Sequence, residues 1–328
     1  MKRYLFAIFV TFLTILIFLW FIPFERIPEI PKQIRIQGIV LGFIFYILSY
    51  VAVAIRWGIL FSERMEKKSL VSRLILFPIT AAHQFMANFL PARAGDLTIV
   101  YLAKKKLNID SSLAMSSLII ARAFDVMILG ILALIFIMVH HENSLVFHPG
   151  ATTVALLFVS IPVLGIIICL FKGKKIEVWL NLHALSFFRH RRWAWGEKIA
   201  LFLAQTAHLL SIRRSNIFYL KCISITILIM LLRIVYLSMF ALHAVNPVPL
   251  GVATLVGLST LVVSATPIQG FLGLGAFEGG WVLGYVLSGL SPERGLLTAA
   301  GSHLLIIIFI LFSGILGNLI LFKKGANM

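Results

Sequence analysis

The sequence predicts an all-α, polytopic transmembrane helix bundle of about eight membrane spans, supplemented by re-entrant or broken helices. Three observations carry this. Sixty per cent of the 328 residues are apolar and only 12% are charged, a balance that no water-soluble domain could bury. The apolar residues gather into runs near the roughly 20 residues that a helix needs to cross a bilayer. The basic residues, which set a formal net charge of +17, collect between those runs, as membrane topology and anionic lipid surfaces favour. In a soluble chain that charge would point to nucleic acid. Its distribution here removes nucleic acid as an expected partner and leaves membrane lipids.

The first run, Tyr4 to Phe24, follows Met1-Lys2-Arg3 and lacks a small-residue cleavage site, so it reads as an uncleaved helix and not as a signal peptide. The others are Ile39 to Phe61, Leu70 to Leu90, Ser112 to Val139, Ala151 to Phe171, Ile217 to Ala244, Leu250 to Ala265, Gly275 to Leu290 and Leu296 to Phe322. Residues 1–328 read as one integral membrane domain. Its longest predicted loop, 172–214, sets Trp179, Leu182, Leu185, Phe188 and Trp193 among Arg189, Arg191, Arg192 and Lys198. That spacing suits an amphipathic cytoplasmic helix lying at the lipid headgroups.

The bias of Lys and Arg sets the expected orientation in a cell (cytoplasmic) membrane. With both termini cytoplasmic and Leu70 to Tyr101 turning back instead of crossing, twenty of the 29 Lys and Arg fall in cytoplasmic segments, four outside, and five within or at the ends of spans. A simple crossing would put Lys104, Lys105 and Lys106 outside, against the positive-inside rule. The reversal has local causes: Pro91 lacks a backbone donor and Gly95 permits a tight turn. A second break, Thr266 to Gly275, holds Pro267, Gly270, Gly273 and Gly275. Re-entrant segments at about 70–101 and 262–280 would then enter from opposite faces, as the broken helices of transporters do around a midplane substrate site. Pro91, Gly95, Pro267, Gly270, Gly273 and Gly275 are the expected hinge residues.

An ionised side chain within the bilayer costs roughly 2.5 to 3.5 kcal/mol, so each such group needs a partner or a ligand. Four arginines, Arg56, Arg93, Arg122 and Arg233, face three carboxylates, Asp96, Asp125 and Glu278. If they converge, the surplus positive charge suits a lipid phosphate, which a guanidinium grips with two parallel hydrogen bonds. With Asn88 and Gln269 these are the expected substrate-binding residues. Asp96 is also placed to cap a helix, Arg122 and Asp125 to pair across one helical turn, and Glu278 to cap, to pair or to accept a proton. His140, His141, Glu142 and His148 lack a helical frame for a metal, so none is expected. His83, His243 and His303 are expected to make interhelical hydrogen bonds. Cys169 and Cys222 suggest neither a disulfide nor a zinc site. With no nucleotide loop and no nucleophile grouping, no cofactor or catalytic residue is expected, and transport would be downhill or ion-coupled.

Arg56-Trp57, the Leu-Pro-x-Arg-x-Gly-Asp core within Asn88 to Asp96, Arg122-x-x-Asp125, and Pro267 through Gly273-Leu274-Gly275-Ala276-Phe277-Glu278 stand in an order and spacing that resembles the membrane domain of lysylphosphatidylglycerol synthases and the stand-alone flippase-like proteins sharing it. The resemblance runs along nearly the whole chain. It implies movement of modified or anionic lipids between leaflets, with Arg93, Asp96, Arg122, Asp125 and Glu278 at the matching positions. The family motif commonly has Glu where this chain has Asp96. No soluble aminoacyl-transferase segment accompanies the sequence, so lysyl transfer is not expected of it. The expected function is that of a flippase for an anionic phospholipid or polyprenyl-phosphate headgroup. The alternatives are an intramembrane lipid-modifying transferase with Asp96, Asp125 or Glu278 as base, and a non-transporting partner subunit of an envelope lipid or glycan pathway.

Overall fold

A computed structural model of the chain describes residues 32–62, 76–139, 149–190, 193–212, 214–266 and 270–325. The expected first span, the 140–148 histidines, Arg191 and Arg192, and the hinge and site residues Pro267 and Gln269 lie outside these. The elements are α1 (Ile36–Leu60), α2 (Leu76–Phe89), a 3₁₀ turn (Pro91–Leu97), α3 (Thr98–Leu107), α4 (Ser111–Val139), α5 (Pro149–Trp179), a π turn (Leu180–Leu185), α6 (Ser186–His190), α7 (Ala194–Ser211), α8 (Asn216–Leu242), α9 (Leu250–Ala265), a 3₁₀ turn (Phe271–Gly273), α10 (Ala276–Leu287) and α11 (Pro292–Gly325). The fold is an all-α bundle; among the described residues the one extended pairing is an isolated bridge between Ile34 and Ala244.

Four helices, Ile36–Leu60, Ser111–Val139, Asn216–Leu242 and Pro292–Leu321, are long and apolar enough to cross a membrane, and a fifth crossing is available where Leu156–Cys169 and Phe171–His190 meet at a 62° bend. Their polarity is the inverse of a soluble helix. On α1, Ile36, Val40, Ile44, Leu48, Val51 and Ile55 are exposed at intervals of three or four residues, while Ser49, Tyr46, Tyr50 and Arg56 are buried. A face of unpaired aliphatic side chains pointing outward is stable only against lipid.

The helix ends sort into two sets. At one end, Arg35 N–H donates to the His243 carbonyl and Val245 N–H to Gln33, joining the start of α1 to the end of α8. Arg294, opening α11, donates to the Asn246 carbonyl at 2.9 Å. At the other end, Lys106, closing α3, donates to the Leu321 carbonyl of α11 at 3.0 Å. Ser112, opening α4, donates to Gln205 of α7 at 2.9 Å. The Lys104–Lys106 run and the basic 172–214 segment thus share an end.

Residues 172–214 differ from the expected loop. Beyond the bend between Cys169 and Phe171, α5 continues as a helix to Trp179, and α7 folds back on it to make a helical arm. Gly173 makes the arm close: a Cβ there would lie 2.7 Å from Ser211 Cβ. Helical spacing of its aromatic residues was legible; the arm's partner, another stretch of itself, was not.

Candidate functional site

Within the described residues α2 covers 14 residues and α3 covers 10; at about 1.5 Å per residue these stretches reach about 21 and 15 Å, against a hydrocarbon core of about 30 Å. α2 starts beside the C-terminal end of α11, with Pro78 and Ala81 against Gly317 and Phe85 against Gly314. α3 returns to that same end. The break between them is longer than a helix end: it is the seven-residue 3₁₀ turn Pro91–Leu97. Arg93 sits there at φ 56°, a left-handed conformation that costs an L residue roughly 1–2 kcal/mol. A Cβ on Gly95 would lie 1.9 Å from the Met86 carbonyl oxygen, so no larger residue allows the turn to fold against α2.

The second hairpin enters from the opposite end. α9 and α10 pack closely because Gly280 and Gly284 press on Thr260 and Val256, with Ser259 donating to the Gly280 carbonyl at 2.8 Å. Its tip reverses at Leu272 (φ 58°), Gly273 (φ 81°) and Gly275 (φ 86°). The two tips touch: Arg93 donates through both Nε, at 3.2 Å, and Nη2 to the Ser264 carbonyl.

Glu278 accepts the Gly275 N–H at 2.8 Å through Oε2, capping α10. Its Oε1 lies 2.5 Å from His303 Nδ1, and His303 Nε2 lies 3.0 Å from the Leu272 carbonyl. A carbonyl only accepts, so Nε2 carries a proton. The remaining contact, between Nδ1 and Oε1, is then held by one further proton on either group. That proton fastens α11 to the glycine-rich break.

The other carboxylates join a ladder of charges. Arg56 of α1 pairs with Asp125 of α4, through Nη1 to Oδ1 and at 3.4 Å through Nη2 to Oδ2. Arg122 bridges Asp125, at 3.2 Å, and Asp96 of the first tip. The expected pairing within α4 exists, but it is half of a larger network. Asp96 caps no helix: no side-chain cap is made at the start of α3.

Beside the ladder and both tips lies a chamber lined by Asn88, Arg93, Asp96, Arg122, Asp125 and Arg233, among others. The centre of a water molecule can move through about 150 Å³ of it, about ten times what one bound water occupies. Asn88 donates to the Gln84 carbonyl at 2.8 Å. Arg233, projecting from α8, makes no hydrogen bond or ion pair among the described residues. Arg56 stands behind Asp125 and Glu278 behind His303; neither lines the chamber. His303 makes the interhelical hydrogen bond expected of it, but sequence reasoning did not place it in the chamber wall, and it missed the Ser264 carbonyl and the wall of Tyr46, Tyr50 and Tyr236. A main-chain acceptor and a histidine 25 residues from its carboxylate partner leave no local signal.

A helical bundle with apolar outer faces and a charged inner chamber defines a multi-pass membrane protein. The family model described as lysylphosphatidylglycerol synthase TM region matches residues 4–314. The chain belongs to that family, whose description ties it to lipid handling. No curated protein and no solved structure matches it significantly.

Proposed function

We propose that the chamber binds the anionic headgroup of a membrane lipid and that the two hairpins carry it between leaflets. One observation carries this reading: Arg93 and Arg233 line the same cavity with no carboxylate partner among the described residues. Two half-buried guanidiniums without ion-pair partners are costly within a membrane bundle, and a phosphate entering between the tips lowers that cost. The headgroup contacts fall on Arg93 and Arg233 first, because Arg122 is already shared by two carboxylates. A transferase would need a free base, whereas Asp96, Asp125 and Glu278 are each engaged.

The test uses the full chain in liposomes carrying fluorescent phospholipids, with leaflet exchange read by quenching. Wild-type protein accelerates exchange and Arg93→Ala abolishes most of it. Equal rates for the two proteins overturn the transport reading. Conversion of the lipid to a new product, seen by mass spectrometry, would replace it with the transferase reading.

A further inference from the structure

We infer that the chamber selects a doubly charged phosphomonoester over a singly charged phosphodiester. This rests on the headgroup reading above and follows from how the charges in the bundle cancel. Among the described residues, the carboxylates at the chamber are Asp96 and Asp125 in its wall and Glu278 behind His303. Asp125 neutralises Arg56, Asp96 neutralises Arg122, and Arg122 leans on both. Glu278 is taken by His303. Among the described residues two positive charges remain in excess: Arg93 and Arg233 make no ion pair, Asp96 and Asp125 attract Arg93 only across the chamber, and Arg122 and Arg233 repel it.

Arg93 spends Nε and Nη2 on the single Ser264 carbonyl, a dipole and not an anion, so no ion pair neutralises its charge. A phosphodiester cancels one of the two charges and leaves the other without an anion. A phosphomonoester has three free oxygens and a second ionisation near pH 6, giving about two negative charges at neutral pH. It cancels both, and its three oxygens offer each guanidinium one oxygen of its own with the third shared between them. Two arginines held apart also favour the second ionisation of the bound phosphate, so selectivity grows on binding.

Binding of phosphatidic acid, phosphatidylglycerol and inorganic phosphate to the purified full chain tests this, measured at pH 8 and at pH 5.5. Phosphatidic acid is expected to bind about tenfold tighter than phosphatidylglycerol at pH 8, an advantage that shrinks at pH 5.5 as its second charge is lost. Arg233→Gln should bring the ratio of the two lipids near one, and Arg233→Lys should keep most of it. Because the wild-type comparison needs no variant, a misfolded Arg233→Gln does not obscure the result. Displacement of phosphatidic acid by an equal concentration of inorganic phosphate assigns the site to the free ion, and its absence assigns it to the lipid. Phosphatidylglycerol binding as tightly as phosphatidic acid at pH 8 overturns this inference and leaves the headgroup reading intact. Failure of every anion to bind in an Arg93-dependent way overturns both.

Discussion

At the scale of single residues, Asp125 holds the most consequential place. It lies at 6% exposure and receives two guanidiniums, so Asp125→Asn removes the counter-charge of Arg56 while leaving that arginine buried. Removing one partner of a buried pair costs about 3–5 kcal/mol. Thermal unfolding in detergent should therefore fall sharply for Asp125→Asn. Arg233→Ala strips no buried partner of its counter-ion and should leave the melting temperature close to wild type while weakening lipid binding. The contrast separates scaffold from site within one cavity. Glu278→Gln can still accept the Gly275 N–H through its amide oxygen, but it cannot keep both the cap and a charged contact to His303. Loosening of the break should follow, read as faster hydrogen exchange at Leu272 to Gly275.

At the scale of elements, both hairpins depend on close backbone approach. Gly280→Ala puts a Cβ 2.5 Å from Thr260 Cα, and overpacking of this kind costs about 1–3 kcal/mol. Gly95→Ala meets the Met86 carbonyl itself, where nothing flexible can give way. Leaflet exchange by Gly95→Ala should be lost even where the protein is produced and remains folded, because the first tip no longer presents Arg93 to Ser264. A Gly95→Ala protein with wild-type exchange would show that the tip geometry is dispensable. Pro91 and Gly95 were readable as a break from composition alone. That the break is a 3₁₀ turn with Arg93 left-handed depended on the α2 backbone and the second hairpin.

For the molecule as a whole, the two sets of helix ends make a topological prediction. With Cys169 replaced, Lys105→Cys and Lys174→Cys should be labelled by an impermeant thiol reagent from the side bearing the basic arm, and Val245→Cys, 47% exposed, from the other. Labelling of Lys105→Cys and Val245→Cys from one side would undo the arrangement of hairpins entering from opposite ends. By the positive-inside bias, the Lys105 side is expected to be the cytoplasmic one.

The sequence alone determined that the solvent is lipid, since the apolar content of this chain and the lengths of its runs admit no other medium. It also located both breaks and singled out the intramembrane charges, because proline, glycine and ionised groups are each costly in a helix surrounded by hydrocarbon. Only the tertiary structure decided which charges cancel. Arg56 and Asp125, or Glu278 and His303, lie on different helices, and the free energy of a buried ion depends on its distance from others, which no spacing along the chain encodes. The same reason hid the surplus on Arg93 and Arg233: four arginines against three carboxylates implied an excess of one, and packing raised it to two by giving Glu278 to His303 instead of to an arginine.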